Sequence, residues 1–423
     1  MNPLSLARYI LPAALFLLCS YPLAAYSVLT HQAIIDTAWD PSLKPLILRR
    51  FPGATEEELR QAHAHAYGGA IIQDMGYYPM GSRFFSDLVH YVRSGDFVVS
   101  LIRESQDRNE YAFALGALAH YAADTQGHSV AVNRAVAIEF PKLKREFGEV
   151  VTYYQKPSAH MRMEFSFDVL QVARGNYASQ AYHDFIGFEV SKPVLERAFH
   201  STYSLDLRDV FNDLDLSIGT YRRAVSFVIP RLTEAAWSVK KSKYEKSQQR
   251  AERSRFVYRL SRASYQKEWG EKHREPGICT RVLGFVIRIV PKIGPLKILK
   301  FKVPSPQSEA LFQASFNKTM DTYSHLLEEQ KRPRVQLVNL DFDTGAVTTP
   351  GEYPMADDAY AKLVVKLADK PPAVIDAALR NHVLAFFRDL ERPFATKKDK
   401  KEWRATVEAL NKLKSPSLAS MPY

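Results

Sequence analysis

Three side chains that coordinate metals well stand at helical spacing in this chain. They are His120, Asp124 and His128, within the run Ala119 to His128. A second pair, His160 and Glu164, repeats the four-residue step. Residues four apart on a helix share a face, so each set can aim at a common centre. If the first set continues one helix, it forms a stripe that turns by about 80° over eight residues. Imidazole with carboxylate is a donor set suited to zinc, which polarises bound oxygens and acidifies water.

More candidates precede this stripe. Asp74 follows the run Gly68 to Gln73, and His90 follows Phe84 to Val89. Asp87, three residues before His90, either orients it or is a solvated surface carboxylate. Residues 1–25 have the form of a secretory signal: Arg8, an almost wholly apolar stretch from Tyr9 to Cys19, then Leu23-Ala24-Ala25 at a cleavage position. Cleavage there makes Tyr26 the first residue, with His31 five positions on. A free α-amino group and its carbonyl can chelate a metal. The ordered set is Tyr26, His31, Asp74, His90, His120, Asp124, His128, His160 and Glu164. A three-zinc cluster needs such a set if Asp124 bridges two ions.

In this order and spacing the chain resembles the superfamily of zinc-dependent phospholipases C and P1/S1 nucleases, over about Tyr26 to Asp168. The resemblance implies that Tyr26, His31 and Asp124 hold one zinc. Asp74, His90, His120 and Asp124 would hold the second, and His128, His160 and Glu164 the third. The family's first residue is typically Trp, where this chain has Tyr26; ligation through the backbone tolerates the change. The bacterial phospholipases and the nucleases usually show His-x3-Asp-x5-His. The x3 second interval here looks more like the branch containing glycosylphosphatidylinositol-specific phospholipase D.

What the resemblance implies is phosphodiester hydrolysis by a zinc-bound hydroxide, with Asp74 as general base. A phospholipid is the expected substrate. A P1/S1-type nuclease is the alternative, and a zinc-stabilised binding protein without turnover a second one. Tyr77, Tyr78, Phe84 and Phe85 lie between two ligands, placed either to line a pocket mouth or to fill the core. The remaining histidines, including His63 and His183, have no usable ligand at helical spacing and are expected on the surface or satisfied in the core.

The elements that must position these groups are helices. From Leu101 to about Tyr265 apolar residues recur at three and four, with few interrupting prolines or glycines. The spacing predicts helices over Glu58–Ala66, Phe84–Ser94, Glu110–Thr125, Ala159–Gly175 and Ile218–Trp237, and later over Ala359–Ala368, Ala373–Asp389 and Lys398–Leu413. Asp341 to Tyr353, rich in Asp, Thr, Gly and Pro, predicts a turn or short hairpin. The expected fold class is mainly α. The expected divisions are a signal at 1–25, a phospholipase C-like helical domain at 26–237, a basic segment at 238–306 and a mostly helical region at 307–423.

Charge and cysteine usage add limits. Lys240 to Lys302 holds 18 basic and 5 acidic residues, against 39 and 41 elsewhere, so the net charge of +11 belongs to one segment. Such a segment suits an anionic membrane surface, nucleic acid phosphates, or a solvated helix beside a buried strip. If the signal is removed with Cys19, Cys279 has no partner and no intrachain disulfide forms. No stretch after the signal is apolar enough to span a membrane, because Val282 to Val303 is broken by Arg288, Pro291, Lys292 and Pro295. A secreted or periplasmic location is expected.

Overall fold

A computed structural model describes residues 28–237, 300–332 and 336–414. The expected signal, Tyr26, Cys279 and nearly all of the basic segment lie outside these described residues. The described chain is helical, with one isolated antiparallel bridge between Leu340 and Val347. That bridge closes the expected turn. Among the described residues no helix is long and apolar enough to cross a membrane.

Ten helices matter for the site: α1 Val28–Ala38, α2 Glu56–Gly69, α3 Arg83–Tyr91, α4 Ser94–Glu104, α5 Arg108–Gln126, α6 Pro157–Ala173, α7 Lys192–Tyr203, α8 Pro306–Glu329, α9 Pro354–Ala368 and α10 Lys400–Lys414. At the centre lies α5, buried from Glu110 through Thr125. Asp107 caps it by accepting the Glu110 amide at 2.9 Å. Its small residues let neighbours come close. A Cβ on Gly116 would stand 2.2 Å from the Ala66 carbonyl oxygen, and one on Gly69 would stand 1.9 Å from that of Phe113. These two glycines set the α2–α5 crossing, and larger residues there would push the helices apart.

The later helices join the same core. Phe312, Phe316, Met320 and Tyr323 of α8 pack with the apolar residues of α5, and Tyr360, Leu363 and Val364 of α9 belong to the same cluster. The Tyr323 hydroxyl donates to the Leu115 carbonyl at 2.9 Å. Burial of this continuous apolar surface is the main stabilising term, at about 25 cal/mol per Å².

At Gly127 the α-helix ends and a π-helical turn, Gly127–Val132, takes over. The Gly127 amide is shared between the Ala123 and Asp124 carbonyls. The change of helix type falls one residue before His128, whose Nε2 still lies 4.0 Å from Asp124 Oδ2, so His120, Asp124 and His128 stay together across it. Wider turns of this kind often occur at functional sites.

Candidate metal centre

Every expected ligand from His31 to Glu164 is buried. Asp124 is in the middle. His31 Nε2 lies 3.4 Å from its Oδ1, while His120 Nε2 and His90 Nε2 lie 3.2 and 3.6 Å from its Oδ2. Asp74 Oδ1 is 3.3 Å from His90 Nε2, and the His90 and His120 Nε2 atoms are 3.4 Å apart. The rings of His31 and His120 stack at 4.5 Å. Asp74, His90, His120 and Asp124 each offer one donor atom within 4.8 Å of all the others.

Across the π-helical turn a second group forms. His128 Nε2 is 4.0 Å from Asp124 Oδ2 and 3.8 Å from Glu164 Oε1, and His160 Nδ1 is also 3.8 Å from Glu164 Oε1. The expected set thus converges on one buried region, with Asp124 between its two parts. Tyr26 cannot be placed among them.

Helix ends and side-chain bonds aim these groups. The far ring nitrogens contact backbone carbonyls: His120 Nδ1 on Ala70 O at 3.0 Å, His90 Nδ1 on Ser86 O at 2.7 Å, and His160 Nε2 on Val151 O at 2.5 Å. Carbonyls accept, so each of those nitrogens carries the proton and the other is free to ligate. Asp87 is buried and is neither a surface carboxylate nor the partner of His90. Instead Asp87 accepts from the Tyr77 hydroxyl at 3.4 Å, and Ser86 O, one turn before His90 on α3, takes the imidazole proton.

Asp168 does a job that was not anticipated. It lies one turn beyond Glu164 on α6, and its Oδ2 accepts the Leu29 amide at 2.9 Å while Oδ1 accepts from Thr30 Oγ1 at 2.8 Å. It fixes the start of α1 and so the position of His31. The spacing His160, Glu164, Asp168 continues the four-residue step and was available as a signal.

The atoms facing the centre fit a cation. Both oxygens of Asp74, Asp124 Oδ1, His128 Nε2, His160 Nδ1 and Glu164 Oε1 are buried and make no hydrogen bond. Leaving so many polar atoms unsatisfied costs about 1–3 kcal/mol each unless a ligand takes them up. Electrostatics follow the same layout. Burial alone would raise the Asp124 carboxyl, but His120, His31 and His90 hold it well below the usual carboxylate range. Asp74, more isolated, is pushed up by burial to about 6. Burial disfavours charge on His90 and His128, yet the facing carboxylates raise them to about 10 and about 9.

Of the aromatic residues between Asp74 and His90, Tyr77, Tyr78 and Phe85 are core residues and Phe84 is half-buried. Tyr77 belongs to a cluster with Tyr91, Tyr153 and Tyr353. His63 and His183, expected to be satisfied elsewhere, flank Asp36 on the other side of α1, with His63 Nε2 3.2 Å from Asp36 Oδ1.

The sequence model of the family described as zinc dependent phospholipase C matches residues 30–213. No curated protein and no solved structure matches this chain. The matched stretch contains His31, Asp74, His90, His120, Asp124, His128, His160 and Glu164, and its all-helical architecture agrees with the match. Over residues 30–213 the chain is similar to the zinc-dependent phospholipase C family.

Proposed function

We propose that this protein is an exported phosphodiester hydrolase of phospholipase C type, with about three zinc ions held by the residues above and a phospholipid as substrate. The observation that carries this reading is the convergence of buried imidazole and carboxylate groups from α1, α3, α5 and α6 around Asp124. His31 and Asp124 alone do not complete a tetrahedral site. The α-amino group and carbonyl of Tyr26, as the mature terminus, are the proposed remainder.

Bound zinc would supply Lewis acidity toward the phosphoryl oxygens and a lowered pKa for water. The chain supplies the rest. Asp74, Asp124 and Glu164 return only part of the charge of such a cluster, so an anionic phosphodiester is drawn in. Ala70, Ser86 and Val151 carbonyls hold the imidazoles in the ligating tautomer. Asp74, the proposed general base, accepts the proton of the attacking water at a carboxylate oxygen. The segment 240–302 would bring the enzyme to an anionic lipid surface, each basic residue near the surface contributing about 1 kcal/mol.

Metal analysis of protein beginning at Tyr26 should find about three zinc ions per chain, and about two when extra residues precede Tyr26. One or none in the Tyr26 form would sink the cluster. Parallel assays on phosphatidylcholine, phosphatidylinositol and single-stranded nucleic acid should show turnover of a phospholipid. Turnover of nucleic acid alone would replace the substrate, and zinc binding without any turnover would favour a binding role.

A further inference from the structure

The group around His128 includes a carboxylate from far along the chain. Asp343 Oδ1 lies 3.0 Å from His128 Nδ1, and one donor atom each of His128, His160 and Asp343 lie within 4.8 Å of one another. Asp343 is outside the matched family segment. Unlike Glu164 Oε1, its carboxylate has its bonds filled. Oδ2 accepts the Tyr153 amide at 2.9 Å and the Tyr353 hydroxyl at 2.6 Å, while Oδ1 faces His128. The His128 atom left buried without a hydrogen bond is Nε2, the one turned to Asp124 and Glu164.

The segment that brings Asp343 is anchored along its length. Tyr121 donates to the Val338 carbonyl at 2.9 Å, Ser94 to that of Leu340 at 2.6 Å, and Asn133 to that of Asp343 at 2.8 Å. The Phe342 amide reaches His90 O at 3.3 Å, and its ring packs on His90 and His120 at 5.1 and 5.9 Å between centroids. Gly345 closes the turn at φ +70°, where a Cβ would stand 2.6 Å from the Thr125 carbonyl oxygen. Only glycine lets the turn lie that close to the end of α5.

We infer that Asp343 is a positioning residue rather than a ligand: it accepts the Nδ1 proton of His128, presents Nε2 to the metal, and makes the His128–His160–Glu164 site depend on the segment 336–353. This inference rests on the trizinc reading above. A carboxylate behind a ligating imidazole orients it and strengthens it as a donor, and losing one commonly costs 10–100-fold in metal affinity.

Chelator competition on the full chain tests it, with zinc counted per molecule and melting of the metal-free form measured in parallel. In Asp343→Ala one zinc should bind about 10–100-fold more weakly while the other two keep their affinity. Asp343→Asn retains an acceptor for His128 and should recover part of the loss. Tyr353→Phe, which removes a single bond to Asp343, should show the smallest loss. Three unaltered affinities in Asp343→Ala would overturn the inference, as would loss of all three ions together with a collapse of the metal-free fold. Wild-type protein that binds no zinc would instead defeat the trizinc reading itself.

Discussion

Replacing Asp124 with Ala should abolish hydrolysis and strip about two of the three zinc ions, because the carboxylate is positioned to serve both halves of the centre. The expected fall in kcat/KM is about 10³-fold or more, equal to about 4 kcal/mol of transition-state stabilisation. Four imidazoles surround this one side chain, at 3.2 to 4.0 Å from its oxygens, and among the described residues no other carboxylate lies as close to all four. Asp124→Asn keeps the shape and removes the charge, so it should lose nearly as much. Asp87→Asn is the contrasting variant. Asp87 lies near the same ligands but accepts from Tyr77 and neighbours Arg83, so its loss should cost less than about tenfold. Equal losses in the two variants, or full zinc content in Asp124→Ala, would show that the centre is not organised around Asp124.

The helical frame and most of the centre were legible in the sequence because both obey short periods. A four-residue step places His120 with Asp124 and His160 with Glu164, and apolar recurrence marks α5 and α6 to within a few residues. What was not legible depends on geometry without a residue signature. The π-helical turn that begins at Gly127, just before His128, is one such feature, and nothing in the four-residue spacing announces it. The carbonyls of Ala70, Ser86 and Val151 orient three imidazoles, but every residue has a carbonyl, so only the fold reveals which ones serve. Asp343 stands 215 positions from His128 in a segment that read as a turn with no chemistry. His63 and His65 stand two residues apart and so face different ways on α2: His63 is buried, and His65 is half-buried and bonded to Gln61 O. The partner of His63, Asp36, had no local signal.

That second buried cluster should be structural, and removing it should hurt stability where removing Asp124 hurts chemistry. Asp36 on α1 receives Tyr67 from α2, holds His63 Nε2 at 3.2 Å, and faces His183 Nε2 at 3.8 Å. Trp39 stacks on His63 at 4.0 Å and closes the cluster. Burial depresses His63, which is therefore a neutral donor near pH 7, whereas burial of Asp36 is outweighed by His183 and His63, leaving its carboxyl below the usual range. Asp36→Ala removes the acceptor shared by the Tyr67 hydroxyl and the His63 Nε2 proton, at about 1–3 kcal/mol for a lost buried bond, and leaves a small cavity. A total of about 3–5 kcal/mol is expected, which lowers Tm by about 4–6 °C in a protein of this size. The pH dependence has the same sign for both groups. Asp36 contributes stability that is full above its ordinary 3.8 and is lost as pH falls through its depressed value. His63 resists protonation when folded, so acid below its ordinary 6.5 also favours unfolding. Because Asp36 raises His63, Asp36→Ala should lose Tm at least as steeply as wild type between about pH 6.5 and 3.8. Only below 3.8, where Asp36 itself takes up a proton, should wild type lose more, and both should carry the same zinc at neutral pH. If Asp36→Ala instead loses a metal ion with Tm unchanged, the cluster is a ligand site and α1 bridges two metal centres rather than one centre and one anchor.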